Sequence, residues 1–270
     1  MNTLAATSVC TLAALVVTGT AAAAGPEACD AKPVKLKDRQ PYTVGPYLSY
    51  LAPWNKGELA EGVDYAECLG IERSTYPDGQ VIGWAWPNAA PKKNGVYNFL
   101  AVNFGNYDHT ATQQRIAPRQ VGEIVELKQF VDLSIDGDPQ HFDVIDDFFL
   151  TSAPGDSDAK LFEVEVLLHS PSFAIRYAHS VAPIGAFAAG GRDWYATVDW
   201  RPKSTPDILV LPRGEGDVLK GAVDLKAVLD YLIEANILTG KEYFNGMGLG
   251  VEVGQGAGAL AVNKLATTYR

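Results

Sequence analysis

Short runs of Val, Ile, Phe, Tyr and Trp recur about every ten residues along the chain, separated by Pro, Gly and Asp, which is the rhythm of strands joined by turns. It predicts strands over Gln80–Trp86, Val96–Phe104, Asp143–Leu150, Leu161–His169, Trp194–Trp200 and Ile208–Leu211, with turns at Pro77-Asp78-Gly79, Asp136-Gly137-Asp138-Pro139 and Pro154-Gly155-Asp156. One segment departs from the pattern. In 224–236 the apolar residues Leu225, Val228, Leu229, Leu232 and Ile233 follow helical spacing, and Thr239-Gly240 stands behind them as a stop. The expectation is an all-β protein with a single amphipathic helix packed on a sheet. The polar stretch 31–40 reads as loop, and no linker, charge run or internal repeat divides residues 25–270, so one domain is expected.

The first residues read differently. An apolar run through Leu12–Val17 leads into small residues, with Ala22 and Ala24 placed as a cleavage site before Gly25. Residues 1–24 are therefore expected to be a secretory signal peptide, although the amino-terminal region has no Lys or Arg. The run is shorter than the ~20 residues a membrane span requires, so no membrane partner is expected and the mature protein should be extracellular. Its removal takes Cys10 away and leaves Cys29 and Cys68, an even pair that suits one disulfide worth about 2–4 kcal/mol.

Composition narrows the function classes. Hydrophobic residues make up 47% of the chain and charged residues 20%, enough apolar side chain for a sizeable core. A formal net charge of -10 and the lack of a basic cluster argue against nucleic acid as a partner. His109, His141, His169 and His179 show no metal-ligand spacing, there is no Gly-x-Ser-x-Gly elbow, and the glycine-rich C-terminal stretch lacks a phosphate-cradling Lys. Neither metal nor cofactor is expected.

Two segments carry candidate chemistry. In Leu161–Leu168, strand alternation puts Phe162, Val164, Val166 and Leu168 on one face and Glu163, Glu165 and Leu167 on the other. Two neighbouring carboxylates repel, which is unusual for a plain solvated face, though a solvent-facing strand remains an ordinary reading. In Gly246–Gly258 a lone Glu252 stands among glycines and valines. Strand glycines mark a bulge or a close approach by another group, and apolar surroundings keep a carboxylic acid protonated, as a general acid must be. A glycine-rich hairpin with a solvated Glu is the alternative. Trp84 and Trp86 share a strand face and, with Trp54, could stack on sugars; the first two would be equally at home in a core. Trp194 and Trp200 read as core or edge residues.

Taken in order, these pieces resemble glycoside hydrolase family 12, the β-jelly-roll endoglucanases and xyloglucanases. Phe162 through Leu168 is similar to that family's nucleophile strand Tyr-Glu-Ile-Met-Ile-Trp-Leu, and Gly250 through Gly256 to its Gly-x-Glu-x-x-x-Gly acid/base pattern. Asp147 takes the place of an aspartate that supports the nucleophile, ahead of a Thr-Ser-x-Pro-Gly turn. Pro183-Ile184-Gly185 resembles a loop lining the cleft, and Cys29, Tyr42-Thr43-Val44, Trp54 and Cys68 resemble the family's disulfide, an early strand and a sugar-stacking tryptophan. Coverage runs from about Cys29 to Tyr269. Glu165 and Leu167 depart from the pattern, where the family has Met and Trp, and Asp143 replaces an asparagine.

The resemblance implies a jelly-roll sandwich of two curved antiparallel sheets with one short helix outside. It implies a monomeric, retaining endo-β-1,4-glucan hydrolase acting on a cellulose-like glucan or xyloglucan. Glu163 would be nucleophile, Glu252 acid/base and Asp147 the nucleophile's support, with Trp54, Trp84, Trp86, Glu165 and Pro183 along the substrate. A glycan-binding jelly roll that has lost turnover is the alternative, motivated by Glu165 and Leu167.

Overall fold

The computed structural model describes residues 25–93, 95–214 and 216–270; the expected signal peptide lies outside them. Strands and helices follow in chain order as β1 (Val34–Leu36), β2 (Tyr42–Val44), β3 (Tyr47–Ala52), β4 (Ala66–Ile71), β5 (Gln80–Trp86), β6 (Phe99–Gly105), β7 (Arg119–Gln120), β8 (Leu127–Gly137), β9 (Phe142–Thr151) and β10 (Lys160–His169). Then come α1 (Ser172–Ala178), β11 (Ala182–Ala189), β12 (Arg192–Asp199), β13 (Asp207–Pro212), β14 (Lys220–Asp224), α2 (Leu225–Glu234), β15 (Tyr243–Phe244), β16 (Gly246–Val253) and β17 (Gly256–Tyr269).

They form two stacked sheets, as the strand rhythm predicts. The smaller has six strands in the order β1-β4-β5-β17-β8-β14; the larger runs β11-β12-β13-β10-β9-β16-β6-β3-β2, with β15 and β7 attached beside β9. Neighbours are antiparallel except β10 and β13, which run parallel. Alternate residues of each sheet fill the space between them: Val164, Val166 and Leu168 of β10, Val144 and Phe148 of β9, and Met247, Leu249 and Val251 of β16 belong to one core with Leu69, Ile82, Val131 and Leu260 of the smaller sheet.

The helix predicted at 224–236 is α2. Asp224 caps it by accepting from the Ala227 N–H at 3.2 Å, and Leu225, Val228, Leu229 and Leu232 are buried in the main core. Two elements differ from the sequence reading. Residues 34–36 form an edge strand instead of loop, because pairing with β4 satisfies their backbone while only Leu36 is buried. A second helix, α1, follows β10; at seven residues it is too short for a periodic pattern to reveal.

Cys29 and Cys68 form the expected disulfide, with Cα atoms 6.3 Å apart. It fastens the amino-terminal segment across β5, where Gly83 leaves room: a Cβ there would lie 2.4 Å from the Gly25 carbonyl oxygen. The interior also holds polar side chains. Asp146 of β9 is 0% exposed, neither of its oxygens has a hydrogen-bond partner, and burial pushes its carboxyl up to about 8 although nearby Gln129 of β8 pulls the other way.

Candidate active site

The concave face of the larger sheet collects the residues left over from the core. Pairing of β13, β10 and β9 aligns them in rows: Asp207 beside Glu163 and Phe149, then Leu209 beside Glu165 and Asp147, then Leu211, Leu167 and Ile145. Across β9, β16 continues the rows with Gly248 opposite Asp147, Gly250 opposite Ile145 and Glu252 opposite Asp143. The sequence-predicted Glu163, Glu165, Asp147 and Glu252 therefore share one face, and Asp207 and Asp143 join them.

The β16 glycines have a specific cause. A Cβ on Gly248 would lie 2.8 Å from the Phe99 ring and from Asn103 Oδ1, and one on Gly250 would lie 2.7 Å from the same ring. Phe99 of β6 thus lies over the strand beside Glu252, so the close approach anticipated for a ligand is made by a neighbouring side chain.

Electrostatically the cluster is crowded. Burial, then the charge of Asp143 and next those of Asp147, Glu163 and Asp207, hold Glu252 well above the usual carboxylate range. Burial and the Asp207, Glu252, Glu163 and Asp147 charges do the same for Glu165. Asp147 is raised by burial and by Glu163, although the Tyr107 hydroxyl donates to its Oδ2. Burial lifts Asp143 to about 7, and burial with the Glu163 charge lifts Asp207 to about 7 against the pull of Arg201. Glu163 is raised by burial as well, but Arg201 and Lys160 both pull it down.

Arg201, in the turn after β12, is the cation of the site. Its Nη1 lies 3.6 Å from Glu163 Oε2, its Nη2 donates to Asp207, and its Nε lies 3.2 Å from Asp199. Glu163, Glu165 and Asp207 each bring an oxygen within 4.8 Å of the others, a donor set that could hold a metal ion, but the guanidinium already serves two of the three. Arg201, Asp207 and Tyr107 escaped the sequence reading because each comes from a different turn or strand, and no local motif marks them.

The structure corrects two candidates. Trp84 is 0% exposed and packs edge-on against Phe142; Trp86 is 5% exposed, stacked between Tyr65 and Tyr97. Both belong to the smaller sheet and face the core, so no sugar can stack on them. Trp194 is core too, whereas Trp200 is exposed beside Phe162 at the sandwich end. Trp54 is 48% exposed just past β3, where Ala52 pairs with Phe99, and so stands at the same end of the sheet as Glu252. Pro183 is exposed on edge strand β11, in the row of Thr197, Leu209 and Glu165.

Helix α1 covers part of the concave face. Ala174 and Ala178 pack with Leu167, Leu209, Leu211 and Ile145, and the Tyr177 hydroxyl donates to Asp199 at 2.7 Å. Beyond the helix lies a cavity of about 520 Å³ lined by Ile175, His179, Tyr195, Leu211, Arg213 and Asp217 among others; none of the clustered carboxylates borders it.

No protein-family model matches the chain, and no curated protein does. Solved structures do. Endoglucanase 3 of Trichoderma harzianum, from family GH12, superposes with a TM-score of 0.70 at 16% identity, over 88% of this chain and 97% of its own. The catalytic domain of Cel12A from Humicola grisea, solved with a soaked thio cellotetraose, gives 0.70 at 15% identity, over 88% and 99%. A family 12 xyloglucanase from Bacillus licheniformis in complex with ligand gives 0.68 at 12% identity, over 88% and 100%. The protein has the fold of the glycoside hydrolase family 12 enzymes.

Proposed function

We propose that this protein is a secreted, retaining hydrolase of β-1,4-glucans, with Glu163 as nucleophile and Glu252 as acid/base. The observation that carries the reading is the unequal treatment of two carboxylates on one face. Glu163 has a guanidinium at 3.6 Å, whereas Glu252 lies among carboxylates beside Phe99 and is held well above the usual range. Environments that push two carboxyl groups apart define an acid and a base. Glu252, still protonated, gives its proton to the glycosidic oxygen while Glu163 attacks the anomeric carbon. Glu252, now ionised, then takes a proton from water, which opens the glycosyl-enzyme and restores both groups. Asp147, beside Glu165 in the register and bonded to Tyr107, supports the nucleophile. The neighbours of this fold are named as endoglucanases and a xyloglucanase, which supports a glucan or xyloglucan as substrate.

A second reading, glycan binding without turnover, is favoured by α1, which covers Leu167 and leaves the open cavity away from the carboxylates. Reducing-sugar release from mixed-linkage β-glucan, carboxymethylcellulose and xyloglucan separates the two. Release that disappears in Glu163→Gln and Glu252→Gln supports hydrolysis; saturable glucan binding by a folded protein that releases nothing supports the second reading.

A further inference from the structure

Arg201 belongs to none of the motifs that carry the family resemblance, yet it touches three acidic side chains and a helix. Its guanidinium reaches Glu163, Asp207 and Asp199, and its Nη2 also donates to the Tyr177 hydroxyl at 3.2 Å. Strand register sets Asp207 beside Glu163, but its carboxylate is 1% exposed, its second oxygen has no hydrogen-bond partner, and Arg201 is the side chain that bonds the first. Removing the guanidinium would leave a buried and a half-buried carboxylate side by side without a counter-charge in contact.

We propose that Arg201 is the positioning residue of the site: it holds Glu163 and Asp207 side by side and ties them, through Tyr177, to helix α1. The inference rests on the reading of Glu163 as nucleophile.

The other charged groups around Glu163 do not replace it. Glu165 on the same strand, Asp147 from β9, Asp207 from β13 and Glu252 from β16 are all acidic. From the segment after β6, Tyr107 is engaged by Asp147, and Asp108 is paired with Lys160. Lys160 also sits 3.6 Å above the Phe149 ring, so its ammonium is already shared. The guanidinium is the cation in ion-pair contact with Glu163 among the described residues.

The test follows the Glu163 carboxyl carbon by NMR titration, assigned by its disappearance in Glu163→Gln, in the mature protein and in Arg201→Gln, Arg201→Met and Arg201→Lys. Loss of the charge in Arg201→Gln or Arg201→Met should raise the Glu163 midpoint by about one pH unit or more, and Arg201→Lys should restore most of it. The acidic limb of kcat/KM should move to higher pH with it. An unchanged Glu163 midpoint in whichever neutral variant folds overturns the proposal. Because the titration needs no turnover, a protein that proves inactive, or whose Glu163→Gln variant keeps full activity, refutes the nucleophile reading while the role of Arg201 is still decided.

Discussion

The two lanes of the concave face were built by the same strands to opposite ends. Where Glu163, Glu165, Asp147 and Asp207 meet, β9, β10 and β13 crowd charges that repel one another; one turn of pleat away, Leu167, Ile145 and Leu211 are sealed beneath α1. The apolar lane stabilises the fold by removing surface from water, while the acidic lane opposes folding whenever its members ionise. Opposite energetic parts thus fall to residues two apart on one strand, Glu165 and Leu167.

This division can be broken from either side. Glu252→Gln should lower turnover by about 10²–10⁴-fold with no loss of thermal midpoint, since burial and the surrounding carboxylates already disfavour its ionised form; glucan hydrolysis beside calorimetry reads both. Leu167→Ala should do the reverse in kind, lowering unfolding free energy by about 2–5 kcal/mol in urea titrations through the cavity it opens under α1.

The pH dependence sharpens the same contrast. Asp143 and Asp207 are each raised to about 7 in the fold, so the folded chain binds their protons more tightly than the unfolded chain. Their stabilisation is complete below the ordinary value of 3.8 and is lost as pH rises through 7. Unfolding free energy should therefore fall between pH 4 and 8 by up to about 4 kcal/mol for each group, and Asp143→Asn should remove its share of that slope. The smallest effect is expected from Tyr177→Phe, which removes the hydroxyl bonded to Asp199: about 0.5–1.5 kcal/mol, visible as faster amide exchange confined to α1.

Much of the fold was legible in residue order because its strands alternate. Gln80–Trp86 is recovered as read and Leu161–His169 to within a residue, since each has one face in the core. Glu163, Glu165 and Leu167 could be placed on a common face for the same reason. What alternation cannot say is which sheet faces what: Trp84 and Trp86 share a face as read, but that face is the interior. Nor can it show partners brought from far along the chain. Asp207 and Arg201 become neighbours of Glu163 only through the register of β13 against β10, and Phe99 explains the β16 glycines only through the pairing of β6 with β16.

The parallel pairing of β10 with β13 also bears on how the molecule assembles. Parallel neighbours cannot be joined by a hairpin, so the chain leaves β10, forms α1, β11 and β12, and returns before Asp207 can lie against Glu163. Contacts that close so long an excursion form slowly, because the entropy of closure must be met before the strands reward it. The stretch that returns sets Asp207 beside Glu163, and the guanidinium that contacts both arrives on the same stretch, in the turn just before β13. Asp207 and the countercharge it shares with Glu163 thus travel as one piece of chain.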